Sequence, residues 1–213
     1  MTSPSIQIAR IDRDIDILDL DHPAWQGAEG VKVTRYWSGE GAPAGRHFVA
    51  RLLWSAMSLY VRFDFEQHEP LVVSDHPDTT RKALGLWDRD VCEIFIAPDP
   101  LQRERYFEFE VAPTGEWVDL ALHTVKGVRK TDEDYSSGMR VAASIGEGKV
   151  VMAMRVDWRA FGKTPIAGDI WLGNLFRCVG SGAARGYLTW QPTLTAIPNF
   201  HVPDRFGEFV FKG

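Results

Sequence analysis

The sequence has no long apolar run and no basic cluster, and these two absences exclude several classes of protein. No stretch within its 213 residues approaches the roughly 18 apolar residues that a membrane-spanning helix needs. The chain carries 24 Lys and Arg residues against 29 Asp and Glu residues, which gives a formal net charge of -5. Because no basic run is present, we expect neither nucleic acid nor an anionic membrane as a partner.

The first residues also lack the features of a signal peptide. The segment MTSPSIQIARIDRDIDILDLD (1–21) alternates apolar and charged side chains, whereas a signal peptide joins a basic start to an apolar run. We therefore expect a cytoplasmic protein, unless the sequence is the trimmed form of a secreted one.

Cysteine is scarce, and both cysteines, Cys92 and Cys178, lie in apolar runs far apart in the sequence. A buried free cysteine behaves as a small hydrophobic residue, so two buried free thiols are one interpretation. A disulfide between them is the other. A metal site is disfavoured, because neither cysteine has a second Cys or a His at ligand spacing.

Amphipathic helices are missing, since no long window repeats its apolar residues with a period of 3.6. The two helix candidates are the short segments WRAFGK (158–163) and DTTRKALG (78–85). Helices therefore contribute little to the expected fold.

Aromatic and β-branched residues are plentiful, with eight Trp and twelve Phe, and they fall into short runs between turn formers. The runs that predict strands cover residues 32–37, 47–54, 59–66, 90–97, 105–112, 116–122, 140–145, 149–157, 169–179 and 208–211, and another strand-like run ends at Trp190. This spacing predicts an all-β fold: a single antiparallel β-sandwich or jelly roll with at most one or two short helices. No linker-like tract divides the chain, so we expect residues 1–213 to form one domain.

Alternation along one of these runs already separates two kinds of side chain. In YFEFEV (106–111) the phenylalanines and the valine would face one side of the sheet, and Glu108 and Glu110 the other.

Trp87 stands on a loop just before a strand that should begin near Asp90. A core tryptophan usually lies inside a strand, so Trp87 is a candidate for the rim of a site, and a hydrophobic plug is the alternative. Asp90 and Glu93 are three residues apart and should point to opposite faces of the strand, which is a poor start for an acid–base pair. Their alternative roles are a turn cap and a solvated strand face.

The loop TWQPTLTAIPNFHVPDRFGEFVF (189–211) carries aromatic residues near the end of the chain. We expect Trp190 to plug the end of its strand, and Phe200 to be presented to a ligand on a loop that prolines stiffen. His201 has two equal interpretations: a polar ligand contact, or a hydrogen bond to the loop backbone.

Five segments occur in an order that resembles the carbohydrate-binding module family 9 group, of the wider DOMON-like β-sandwich class. They are LYVRFDFE, LWDRDVCEIFIAPD, YFEFEVAPTGEWVDL, IWLGNLFRCVG and FHVPDRFGEFVF. The resemblance runs from about residue 25 to residue 211, and W-x-x-D-x-x-E-I-F-I together with the closing F-H-x-P-x-x-F-G carries it.

The resemblance implies a non-catalytic module that holds a terminal sugar between two aromatic walls, often attached to xylan-degrading enzymes. It assigns the walls to Trp87 and to Phe200, which replaces a tryptophan of characterised binders. It assigns a hydroxyl-binding role to Glu93. Two positions depart from those binders: Arg177 stands in place of a glutamine, and Glu110 in place of an arginine.

The chemistry of sugars agrees with this assignment. A pyranose has apolar C–H patches on its faces, which flat aromatic rings cover at little entropic cost. Its hydroxyls bind charged groups more strongly than neutral ones. We therefore expect a slot between the loops that carry Trp87 and Phe200, with Glu93 and Arg177 at its base.

Three alternatives remain open. A glycoside hydrolase would need two carboxylates across a cleft, and the sequence does not single out such a pair. Some DOMON relatives hold haem with a Met and a His, and the candidates here are Met57, Met139, Met152 and Met154 with His47, His68 and His123. Structural calcium, which sugar-binding members of the group carry, would suit the acid-rich loops at 74–78, 87–90 and 131–137.

Overall fold

Short strands dominate the fold, as the alternating runs predict. The computed structural model describes residues 4–213. Residues 1–3, which open the segment considered for a signal peptide, lie outside the described residues. The strands are β1 (Ser5–Arg10), β2 (Val31–Val33), β3 (Arg35–Tyr36), β4 (Phe48–Trp54), β5 (Ser58–Glu66), β6 (Val91–Ala97), β7 (Tyr106–Val111), β8 (Trp117–Val125), β9 (Val128–Asp132), β10 (Arg140–Ile145), β11 (Lys149–Asp157), β12 (Ile170–Val179), β13 (Gly186–Thr189) and β14 (Gly207–Phe211).

Helical structure in the described residues consists of short 3₁₀ turns. They cover Pro23–Gly27, Ala44–Arg46, Leu86–Asp88, Pro100–Gln102, Trp158–Phe161, Gly182–Ala184 and Pro203–Arg205. The candidate at 158–163 is one of them, whereas 78–85 is an irregular loop. Within residues 4–213, no helix is long and apolar enough to cross a membrane.

Two layers of strands pack face to face. The back layer has the order β10-β11-β5-β4, with β2 beside β4, and the front layer has the order β14-β12-β6-β7-β8-β9, with β13 and β3 attached to β12. Their inner faces form one large apolar cluster that includes Phe63 and Met152 of the back layer and Ile94 and Phe109 of the front layer. The predicted all-β sandwich is confirmed.

Strand β1 is the exception to antiparallel pairing. Its first half pairs parallel with β14, from Ser5 opposite Glu208 to Ile8 opposite Phe211. Its second half pairs parallel with β4, through Ala9 and Arg10. Strand β1 therefore joins the front layer to the back layer.

The register of the front layer decides which side chains reach its outer face. Glu93 of β6 lies opposite Phe176 of β12 and opposite Glu110 of β7, so these three residues share one face. Arg177 lies opposite Cys92, on the face that packs against the back layer. The outer face carries a second apolar cluster, which the loops before β6 and before β14 cover.

Both cysteines are free and buried, which confirms the first interpretation. Cys92 packs between the layers and Cys178 packs in the outer cluster, so the two thiols lie on opposite faces of the front layer.

Candidate functional site

Trp87 is held at the surface by the turn that carries it. Gly85 adopts a left-handed conformation (φ 81°) before the 3₁₀ turn Leu86–Asp88, and Leu86 is buried beneath that turn. The backbone carbonyl of Trp87 accepts a hydrogen bond from Arg185. With its backbone fixed, the indole remains 39% exposed, as expected for a rim residue and not for a core plug.

A cavity of about 390 Å³ opens beside Trp87 on the outer face of the front layer. We call it the Trp87 pocket. Its lining consists of Trp87, Asp88, Glu93, Phe95, Glu108, Leu120, Arg129, Thr131, Glu133, Cys178, Tyr187, Pro198, Asn199, Phe200 and His201. The volume falls within the roughly 300–1,000 Å³ that small-molecule sites span.

The second predicted wall, Phe200, lines the pocket but has little free surface. Its ring stacks on Phe176 with the centroids 4.1 Å apart and the planes 14° apart, and Tyr187 meets it edge-on. Only 8% of Phe200 is exposed. The loop is anchored partly by Trp190, which stacks on Phe209, as predicted for a strand-end plug. Phe200 therefore contributes an edge to the pocket, while most of its ring belongs to the core.

His201 also lines the pocket, and its ring neither stays free nor binds the loop backbone. Its Nδ1 lies 2.9 Å from the Tyr106 hydroxyl, and the ring packs on Phe95. Burial, with a smaller effect of Arg129, lowers the pKa of His201 to about 3. The ring is therefore neutral at ordinary pH, and its 4.0 Å approach to Glu108 is not an ion pair.

Three glutamates meet beneath the pocket. Glu93 and Glu108 line it, and Glu110 lies beside them on the same face of β7, where it is completely buried. One carboxylate oxygen from each residue lies within 4.8 Å of the others. The alternation of YFEFEV predicts that Glu108 and Glu110 share a face, and they do. Glu93 lies on the same face, which is buried, so the alternative of a solvated strand face for Glu93 is wrong.

Burial is the main reason why the pKa values of these three glutamates, the glutamate triad, are unusual. It raises the pKa of Glu93, Glu108 and Glu110 above the usual carboxyl range. Repulsion from Glu108 raises the pKa of Glu93 further, and repulsion from both neighbours raises that of Glu110. A proton shared between Glu108 and Glu110 would link them by a hydrogen bond, whereas two ionised carboxylates cannot form one.

The prediction that Arg177 lies at the base of the slot is wrong. Its guanidinium points between the layers, 3.6 Å above the ring of Phe65, and donates to the carbonyl of Arg46 at 2.7 Å and to the side chain of Gln67. Gln67 in turn donates to Asp90 at 2.8 Å. Arg177 therefore satisfies an inner polar network and is separated from Glu93 by the sheet.

Glu110 is likewise absent from the pocket lining. It lies behind the lining, with a carboxylate oxygen within 4.8 Å of oxygens of Glu93 and Glu108. The structure brings Trp87, Glu93, Phe200 and His201 together around one cavity. It also adds residues that the sequence did not single out, chiefly Tyr187 on β13 and Arg129 on β9.

The haem candidates lie in separate environments. Met152 and Met154 are fully buried between the layers and Met57 is exposed. His47 donates through Nε2 to the carbonyl of Ala42 at 2.8 Å, and His68 is exposed.

The acid-rich loops serve local roles. Asp78 accepts from the backbone and hydroxyl of Thr80, and Asp132 accepts from the backbone of Asp134 and Tyr135. Within residues 4–213 the glutamate triad, and none of these loops, brings three possible metal ligands together.

Solved structures of other proteins share this fold. No curated protein matches the sequence. A presumed carbohydrate-binding protein from Bacteroides uniformis ATCC 8492 superposes with a TM-score of 0.77 at 16% identity, over 99% of this chain and 100% of that one. A family 9 carbohydrate-binding module from Caldicellulosiruptor kristjanssonii in complex with cellotriose gives 0.68 at 17% identity, over 99% of this chain and 94% of that one. Its complex with glucose gives 0.67 at 16% identity, over 99% and 96%.

At these identities the superpositions establish the fold alone. The family itself is established by the sequence, because residues 19–213 match the model of the carbohydrate family 9 binding domain-like family. The chain belongs to that family.

Proposed function

We propose that the chain is a non-catalytic module, spanning residues 1–213, that binds a terminal sugar ring in the Trp87 pocket. One observation supports this proposal most directly. The indole of Trp87 is 39% exposed at the edge of a cavity, and the floor of that cavity presents the carboxylates of Glu93 and Glu108. The indole offers the apolar face that a pyranose needs, and the carboxylates offer strong acceptors for its hydroxyls. The cellotriose and glucose complexes of the Caldicellulosiruptor module support sugars of this size as ligands.

The two predicted walls contribute unequally in this proposal. Trp87 supplies the stacking surface, because its ring is free. Phe200 shapes the opposite side by its edge, because Phe176 already covers one face of its ring. His201, held by Tyr106, has its Nδ1 occupied and contributes through its remaining ring surface.

Calorimetric titration tests the proposal with glucose, cellotriose and xylotriose. The last sugar examines the link to the breakdown of xylan and other plant polysaccharides that the family resemblance implies. Trp87→Ala should weaken binding by about 1–3 kcal/mol, the scale of a lost stacked aromatic contact. Leu101→Ala is the matched control, because Leu101 is 94% exposed and lies outside the pocket. Unchanged affinity in Trp87→Ala, or no sugar bound by the wild type on a glycan array, would refute the proposal.

The position of the carboxylates argues against a hydrolase. Glu93 and Glu108 extend from the same face of adjacent strands, whereas the two carboxylates of a glycosidase flank the scissile bond. We therefore expect no turnover of xylan, cellulose or aryl glycosides. Hydrolysis faster than about 1 s⁻¹ that disappears in Glu93→Gln would favour the enzyme. A Soret band in the purified protein would favour the haem alternative.

A further inference from the structure

We propose that Glu93, Glu108 and Glu110 together hold a divalent cation of the calcium type beneath the Trp87 pocket. No comparison with a known protein assigns a metal to these residues. The three carboxylates converge, oxygens of Glu108 and Glu110 are buried without a hydrogen-bond partner among residues 4–213, and the pocket gives access to Glu93 and Glu108.

The geometry suits one ion between three carboxylates. One oxygen from each glutamate lies within 4.8 Å of the other two. Calcium binds oxygen at about 2.3–2.6 Å, so ligands around a single ion stand up to about 5 Å apart. The three side chains converge because Glu93 and Glu110 are paired across β6 and β7, and Glu108 is two residues along the same face of β7.

Several carboxylate oxygens of the glutamate triad have no hydrogen-bond partner in the described part of the chain. Among the described residues, both carboxylate oxygens of Glu110 and Oε2 of Glu108 are buried without a hydrogen-bond partner. Buried polar atoms nearly always have one, so each exception needs a cause. Arg185 influences Glu93 electrostatically, yet its guanidinium donates to the backbone carbonyls of Gly180, Trp87 and Arg89.

The burial of Glu110 favours an ion over a group on the sugar. A sugar in the pocket reaches Glu93 and Glu108, which line it, but Glu110 has no exposed surface and does not. A cation between the three oxygens would contact all of them. A proton shared between Glu108 and Glu110 would lower the repulsion but would still leave one buried carboxylate oxygen of Glu110 without a partner.

The surrounding donors select a hard cation. The carboxylates supply oxygen, which calcium and magnesium prefer. The Cys178 thiol lies 3.5 Å from Glu93, but burial raises the pKa of that thiol, so it stays protonated and is a poor ligand. His201 is not among the converging ligand atoms, and its Nδ1 is hydrogen-bonded to Tyr106. Nothing in this shell favours zinc or copper.

The ion would be open towards the pocket. Calcium takes six to eight oxygen ligands, and its remaining ligands would come from the Trp87 pocket, which Glu93 and Glu108 line. Two adjacent sugar hydroxyls could fill them in place of water. This last step rests on the proposed sugar-binding function, whereas the cation site does not.

Calorimetry with CaCl2 alone, on protein freed of metal with EDTA and dialysed, tests the site. We expect one ion per chain, and terbium luminescence excited through Trp87 that calcium displaces. Glu110→Gln keeps the shape of the side chain and should weaken calcium binding at least tenfold. Asp134→Asn is the matched control, because Asp134 is an exposed carboxylate in an acid-rich loop, and it should leave calcium binding unchanged.

The outcomes are distinguishable. Absence of a binding signal with Ca²⁺, Mg²⁺ or Mn²⁺ in the wild type would overturn the site even if Glu110→Gln failed to fold. Equal calcium affinity in Glu110→Gln would also overturn it. Sugar binding that is the same with EDTA and with calcium would overturn the bridging role while the proposed function stands. Calcium binding without sugar binding would refute the proposed function alone.

Discussion

Glu93 and Glu110 lie directly opposite each other on neighbouring antiparallel strands, and both residues are buried. Like charges in this position destabilise a sheet. The pair therefore affects both the stability of the fold and the chemistry of the site.

Removal of one charge from this pair should stabilise the metal-free protein. Glu110→Gln should raise the free energy of unfolding by about 1 kcal/mol at pH 7.5, because it deletes a buried acid that its neighbours repel. That corresponds to about 2–4 °C in Tm for a chain of this size. Thermal melts in EDTA measure the change, and a fall of several degrees would show that the carboxylate stabilises the fold.

The same triad predicts how stability changes with pH. A folded-state pKa above the unfolded value of about 4.3 means that the folded protein binds more protons, so this contribution is present in acid and is lost as the pH rises through the folded pKa. His201 acts in the opposite sense, because its lowered pKa destabilises the fold as the pH falls below about 6.5. The difference between wild type and Glu110→Gln isolates the triad.

We expect the wild type in EDTA to gain stability relative to Glu110→Gln when the pH is lowered from 8 to 5. Denaturant unfolding at several pH values gives the comparison. A difference that does not vary with pH would mean that Glu110 has an ordinary pKa.

Substitution of the two aromatic residues should separate stability from binding. Phe200→Ala removes a buried ring stacked on Phe176 and should cost about 3 kcal/mol or more of stability. Trp87→Ala should cost about 1 kcal/mol or less, because the indole is partly exposed. Chemical denaturation of both variants provides the measurement, and the reverse order would make Trp87 a core plug after all.

Gly173 on β12 should not tolerate a side chain. A Cβ atom there would lie 2.2 Å from the ring of Phe209 and 2.4 Å from the carbonyl oxygen of Phe95. Gly173→Ala should therefore destabilise the protein by about 1–3 kcal/mol or more, since the backbone contact cannot relax freely. A melting temperature within a degree of the wild type would contradict the close packing of β12 against β6.

Most alternating runs were correctly predicted as strands. Strand β1 was missed although its sequence alternates, and two other failures have physical reasons. Strand β9 carries no periodic signal because both of its faces are exposed, so only pairing with β8 defines it. The side chain of Arg177 was predicted on the wrong face of the sheet. Phe176 pairs with Glu93 and shares its face, so the neighbouring Arg177 points to the other face. Sequence alone does not set the register between distant strands. The meeting of Glu93 with Glu110 depends on a register of the same kind.

The site was predictable where a local motif fixes the backbone. Trp87 and Glu93 belong to one turn and strand, so their spacing carries over directly to space. Phe200 lines the pocket, but the sequence did not predict that its ring would be buried, because the burial depends on Phe176, a residue in another strand.

The parallel pairing of β1 with β14 also has a mechanical consequence. Ser5 to Ile8 lie beside Glu208 to Phe211 and run in the same direction. A force that pulls the chain apart at Ser5 and Phe211 would slide the two strands past each other along their length. It would load all the hydrogen bonds between them at once, whereas a hairpin pulled from its open end breaks one bond at a time. The fold is thus arranged to resist tension between its two ends.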